Sequence, residues 1–236
     1  MVGVPCASET QYLNTFGRIE MEMQELEKLI KGRRSVRQWK KQDVPDDVLK
    51  KAVELAAWAP NGGNFQGWRF VVVKNPAVIA KMGNAVQSVA DKVAGWPTEA
   101  QWKEEILRHQ QKASFFREAP VCIAVFVNKY ESVMDKILIP RESFDPEAKE
   151  ILAFRRSAPT GVQSAAAAVA TLLLVLHNAG LGAVWLANPL IAKKQIENML
   201  KVPAGMDLVC LVAIGYPAES PQKDRRPVDE VMEFIR

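Results

Sequence analysis

From Ala165 to Leu176 the chain reads AAAAVATLLLVL, apolar on every side of a helix and broken only by Thr171. A helix that is apolar all round has to be covered, by its own core or by another surface. The run is shorter than the roughly 20 residues that cross a bilayer. It predicts a buried helix over about 160–178, ended by Gly180, and no membrane span. The rest of the chain supplies a sheet for it to cover. Residues 69–74, 121–127 and 208–214 are rich in valine, isoleucine and phenylalanine and predict three strands, with a shorter one at 183–186. Helical spacing predicts helices over 21–31, 46–58, 76–94, 99–117 and 190–200, whereas 61–64 reads as a loop and 129–144 as irregular. The long helical insertion between the first two strands breaks a regular strand–helix alternation. The expected class is therefore α+β, a small central mixed sheet flanked by helices.

The 236 residues suffice for one domain with a large core. Expected are an N-terminal arm over 1–20 and a single domain over 21–236, with a helical lid around 85–117 and a C-terminal tail from about 218. A net charge of +4, from 31 basic and 27 acidic residues, is too small to point to nucleic acid and suits a modestly anionic ligand. Cys6, Cys122 and Cys210 are scattered, and the last two lie in strand-like runs, which predicts buried thiols rather than disulfides and a reducing, cytoplasmic setting. Residues 1–17 carry no basic segment followed by an apolar block, so no leader is expected. His109 and His177 lack metal-ligand spacing, and the chain has no glycine-rich phosphate loop and no nucleophile elbow. That leaves a bound organic cofactor as the expected source of chemistry.

Four stretches stand above this background. Arg33, Arg34, Ser35 and Arg37 set guanidinium groups around a hydroxyl, a combination that grips phosphate through charge-assisted, bidentate bonds. In Pro60-Asn61-Gly62-Gly63-Asn64-Phe65-Gln66-Gly67-Trp68, adjacent glycines let backbone approach a flat ligand, and Asn61, Asn64 and Gln66 add donors and acceptors. Gly180 to Pro189 is small and apolar and ends in a turn at Leu186, Ala187 and Asn188. Lys223, Arg225 and Arg226 form a basic run before Pro227. Alone, each has an ordinary reading as a solvated charge run, a connection or a helix cap.

In this order and at these separations the four resemble the nitroreductase superfamily, over roughly residues 24–236. Arg33, Ser35 and Arg37 match its Arg-x-Ser-x-Arg/Lys opening. Ala59 to Trp68 matches its Ala-Pro-Ser-x-x-Asn-x-Gln-Pro-Trp loop, with Asn61 replacing the serine and Gly67 the second proline. Asn178 to Asn188 matches its Gly-Leu-Gly segment, and Gly215-Tyr216-Pro217 with Lys223, Arg225 and Pro227 matches its closing pattern.

The resemblance implies an intertwined homodimer with FMN held between subunits, NADH or NADPH as electron donor, and a small-molecule acceptor reduced by a ping-pong mechanism. It places Arg33, Arg34 and Ser35 at the FMN phosphate and ribityl chain, with Lys223 and Arg225 closing from the tail. Arg37 is placed near the N1/O2 edge, and Leu186, Ala187 and Asn188 on the N5 side. Pro60, Asn61, Gly62 and Asn64 are expected at the ring, with Pro60, Asn61 and Gly62 coming from the partner subunit. No side chain is expected to act as acid or base. Trp96 and Trp102 in the lid favour nitroaromatic, quinone-like or other conjugated acceptors. One alternative is a reductive dehalogenase like iodotyrosine deiodinase, although no tyrosine occurs between Tyr12 and Tyr130 to serve that subgroup's substrate clamp. Others are a flavin-binding module without turnover and a phosphate-binding scaffold without flavin.

Overall fold

The computed structural model describes residues 23–236. The expected arm over 1–20, Cys6 and the first two residues of the expected helix over 21–31 lie outside the described residues. By compactness the chain divides after Arg33. The described part of the first unit is helix α1 (Met23–Gly32), which turns no side chain into a core, and Arg33, whose N–H donates to the Leu29 carbonyl at 3.2 Å.

The second unit is built on four strands, β1 (Trp68–Val73), β2 (Val121–Asn128), β3 (Gly182–Leu186) and β4 (Met206–Gly215), in the order β1-β2-β4-β3. All three pairings are antiparallel, so the mixed character expected of the sheet is confined to a single parallel bridge from Ser35 to Ala183. The central strands are covered on both faces, and their period of two sorts the side chains. Val121, Ile123, Val125 and Val127 of β2 join Cys210, Val212 and Ile214 of β4 on one face. Cys122, Ala124 and Phe126 join Leu211 and Ala213 on the other. A bulge between Val125 and Phe126 shifts the register along β2. Burial pushes both the Cys122 and Cys210 thiols up to about 12, as expected of inert core cysteines.

Helix α2 (Asp46–Ala56) packs on the first face beside the apolar helix, here α7 (Thr160–Asn178). Joined with the preceding helix, α7 forms a stretch, Pro146–Asn178, that by length and composition alone is apolar enough to cross a bilayer. In the fold Ala165, Val169, Leu172, Leu173 and Leu176 are instead buried in the core against the sheet, and Ala168 is buried as well. The helix stops as its sequence predicts. Gly180 at φ 74° lets Leu181 N–H reach the Leu176 carbonyl at 2.9 Å while its own N–H reaches His177 at 3.0 Å, satisfying carbonyls a helix end leaves open. The second face carries α3 (Pro76–Ala94), capped by Asn75, and, after a tight turn at Asn188–Ala192, α8 (Lys193–Leu200).

Two expectations are corrected. The helix expected over 99–117 is α4 (Ala100–Lys112) followed by a separate tight turn at Phe115–Glu118. Residues 129–144 are not wholly irregular: Val133–Leu138 forms α5 and a tight turn follows at Ile139–Arg141, and beyond them Pro146–Ser157 forms α6. These helices share a small core of their own, Leu138, Ala148 and Leu152.

An ion pair ties them together. Arg155 donates to both carboxylate oxygens of Asp135, at 2.7 and 3.0 Å, and Ser132 completes the cap with its N–H and hydroxyl. Arg155, then Ser132, hold the Asp135 carboxyl well below the usual carboxylate range. A depressed folded-state pKa stabilises the fold above the unfolded value of about 4 and loses that effect as pH falls below it. Asp135→Asn is therefore expected to cost about 1–2 kcal/mol at pH 7 and progressively less as pH falls from about 4 through the depressed folded value, read by thermal melts at pH 7 and pH 2. An equal loss at the two pH values would rule out the charge as the cause.

Candidate functional site

The segment after Arg33 does not enter the sheet as a strand but runs along its β3 edge. Ser35 bridges Ala183, Val36 N–H donates to the Ala183 carbonyl at 3.2 Å, and Trp39 Nε1 donates to the Gly182 carbonyl at 2.9 Å. This close approach requires Gly182, since a Cβ there would lie 2.8 Å from Val36 Cβ. On its other side the segment is held by the chain leaving β4. Lys40 N–H meets the Tyr216 carbonyl, Ala218 N–H meets the Gln38 carbonyl, and the Glu219 carboxylate accepts the N–H groups of Arg37 and Gln38. Glu219 is a residue the sequence reading passed over, because a glutamate in a polar tail has no local signature. The Arg37 guanidinium donates to the Ser35 carbonyl at 3.2 Å. Lys223 and Arg225 lie exposed in the same tail, a few residues beyond Glu219. Leu186, at the end of β3, is buried, Ala187 is exposed and Asn188 is half-buried. Thus Ser35, Arg37 and the Leu186–Asn188 turn share the β3 edge, with the tail rooted beside it. Arg33 belongs to the N-terminal unit described above.

The second group is elsewhere. Pro60 to Asn64 precedes β1, the opposite edge strand, and three strand spacings of about 4.8 Å put some 14 Å between the two edges. The loop contains a tight turn at Gly62–Asn64, a refinement of the expected plain loop. Gly63 sits at φ 60° and Asn64 at φ 51°. It is bound into the fold: Asn61 Oδ1 accepts from Gln66 N–H at 2.9 Å, Asn64 Oδ1 from Gln66 Nε2 at 3.1 Å, and Ser164 Oγ from Gly62 N–H at 3.2 Å. The Asn61 and Asn64 carbonyls expected to face a ligand are thus used to shape the loop.

Two hollows flank these groups. One, of about 560 Å³, lies between the α5–α6 excursion and the sheet end, from Asn128 and Tyr130 to Leu190 and Lys193. Its ionised groups are matched within the fold: Arg155 with Asp135, Arg156 with Glu142, Lys193 with Asp207 and Lys129 with Glu131. The other, of about 300 Å³, lies between the end of α4 and the Leu186–Pro189 turn. Of the lid tryptophans, Trp102 lines an adjoining hollow with Glu105 and His109, and both Trp96 and Trp102 stay more than half exposed.

Residues 30–216 match the sequence profile of the Nitroreductase family. The chain belongs to that family. An NADH dehydrogenase of Thermus thermophilus is 27% identical to it over 214 residues, covering 85% of this chain and 91% of the relative. Its fold is nitroreductase-like. A BluB-like flavoprotein from Clostridium difficile superposes with a TM-score of 0.76 at 27% identity, over 90% of this chain and 99% of that one. Oxidised iodotyrosine deiodinase bound to FMN and 3-iodo-L-tyrosine does so with a TM-score of 0.64 at 25% identity, over 89% and 97% of the two chains.

Proposed function

We propose that this nitroreductase-family protein is an FMN-dependent oxidoreductase that works as a homodimer, taking electrons from NADH or NADPH and passing them to a small conjugated acceptor. The observation that carries this is the backbone run Ser35–Gln38, pinned flush to β3 by Val36 and Trp39 and to the tail by Glu219. The donor set fits FMN. Arg34 and Arg37, with Lys223 and Arg225 from the tail, supply positive charge for the phosphate, and Ser35 supplies a neutral donor. The Leu186–Asn188 turn at the end of the same edge offers an apolar side chain and backbone groups for a flat ring.

Bound FMN supplies hydride acceptance from the nicotinamide and delivery to the acceptor, one after the other in one place. The protein's residues position it. Arg37 places positive charge where an electron-rich ring benefits from it, and Glu219 fixes the Arg37 backbone. The strand order supports the dimer: the basic cradle runs along one edge strand and the Pro60–Asn64 loop leads into the opposite one, so the loop of a second copy would complete each cradle. The tail supports it too, since Val228, Val231, Phe234 and Ile235 are all exposed in the single chain.

The likeness to a deiodinase favours a second reading, reductive removal of halogen from an aromatic substrate. The α3–α4 lid, however, offers no tyrosine. Absorption spectra before and after anaerobic NADH or NADPH test the main reading. Flavin bands that bleach are expected. Bands that persist with both donors would mean a binding module or another donor, and a protein that stays colourless with added FMN would overturn the proposal. Release of iodide from 3-iodotyrosine by the dithionite-reduced protein would select the second reading.

A further inference from the structure

Helix α4 turns no side chain into a core, so its place is set at its root, where the chain passes through the turn Phe115–Glu118 into β2. A polar network fixes that end over α3. Ser114 donates to Gln87 at 2.7 Å, Gln87 to the Gln110 carbonyl at 3.0 Å, and Gln110 to Asp91 at 2.9 Å. In the turn itself Phe116 is fully buried. Its neighbour Phe115 is half-buried and stacks on Trp39, with ring centroids 6.3 Å apart and planes 7° apart.

Trp39 joins this root to the cradle. Its Nε1 donates to the Gly182 carbonyl at 2.9 Å, on the same edge where Ser35 and Val36 meet Ala183. It also bridges Pro217 in the chain leaving β4, and a Cβ on Gly215 would lie 2.9 Å from Trp39 Cδ1. One half-buried indole thus touches the edge strand, the exit of β4 and the root of α4. An indole N–H lies in the plane of its ring. The near-parallel stack on Phe115 sets that plane, and with it the direction of the bond to Gly182.

We propose that Trp39 is a positioning residue that couples the FMN cradle to α4: bound FMN, by fixing Ser35 and Arg37, fixes the indole and through Phe115 the root of the helix. The proposal rests on the flavin reading above. Coupling of this kind is reciprocal, so a root held in place also holds the cradle.

The test is hydrogen exchange of the Ala100–Lys112 amides in the apo- and FMN-loaded protein. A helix that buries no side chain exchanges through local opening, so the ratio of the two rates reports on the seating of α4 and not on global stability. FMN is expected to slow these amides about tenfold, an ordinary strength for coupling between two sites. Phe115→Leu is expected to bring the ratio below about twofold while FMN still binds, and Phe115→Tyr, which keeps the stack, to keep the ratio. Trp39→Phe retains a ring to stack but has no N–H to give. It is expected to lose the ratio and to raise the Kd for FMN about fivefold. A merely structural part for Phe115 would speed exchange equally with and without FMN, and a ratio left unchanged in Phe115→Leu would overturn the proposal. So would a wild-type ratio near one. Fluorescence titration with FMN checks the flavin reading separately. A protein that takes up no FMN fails that reading and this proposal with it, whereas one that binds FMN without slowing α4 fails on Trp39 alone.

Discussion

Gly182→Ala is expected to raise the dissociation constant for FMN about tenfold or more, about 1.4 kcal/mol, and to leave the fold in place. The added methyl would lie 2.8 Å from both Val36 Cβ and Cγ1 and 2.9 Å from Cγ2, closer than side-chain carbons approach. Val36 cannot turn aside, because a β-branched residue has few rotamers and this one is buried. The strain must therefore move backbone, and the backbone that moves carries Ser35 and Arg37. Gly180→Ala is the control. No atom lies within 4 Å of a Cβ there, but its φ of 74° penalises alanine by about 1 kcal/mol, so stability falls and FMN affinity holds. Titration of apo-protein with FMN, followed by fluorescence, measures both. If the two variants bind FMN alike, the cradle does not depend on the close approach at Gly182.

How much of this was legible in the sequence depends on whether the signal is local. The apolar helix was, down to its glycine stop, because burial leaves a composition and a left-handed turn leaves a residue type. Strands β2 and β4 were legible as runs of valine, isoleucine and leucine, since central strands are covered on both faces. Helices α5 and α6 were missed although their start signals are present. Ser132 and Asp135 form a capping box, and Asp145 caps a helix with proline at its first position. Both helices keep large apolar residues exposed, such as Val133, Ile137 and Phe154, so no clean periodicity marks them. In the site, the residue types of the cradle were readable, but its architecture was not. The bond from Glu219 to Arg37 spans 182 positions, and nothing in a pentapeptide announces a partner that far along. Nor does the sequence of the Pro60–Asn64 loop say that it belongs to the opposite edge of the sheet, which is a property of strand order.

That strand order gives the sharpest test of the proposed dimer. Arg34→Glu reverses charge in the cradle, and Gly62→Ala sets a Cβ 2.3 Å from Thr160 Cγ2, a contact that either the loop or the Thr160 side chain must shift to relieve. Each variant alone is expected to purify colourless and to retain little FMN. In a two-fold dimer whose sites draw the cradle from one copy and the loop from the other, a mixed pair has one site with both halves damaged and one with both intact. Random re-pairing of equal amounts makes half the dimers mixed, so about one quarter of all sites should regain FMN and bleach with NADH. Co-expression with two different tags, purification through both, and a flavin-to-protein ratio near one per two chains would measure the same thing on the mixed dimer alone. If cradle and loop of a single chain served one flavin, every site would carry one damaged half and mixing would restore nothing. Circular dichroism of each variant guards against simple unfolding, and recovery on mixing is itself proof that both chains fold. The quantity of flavin regained thus reports directly on which chain's loop meets which chain's cradle.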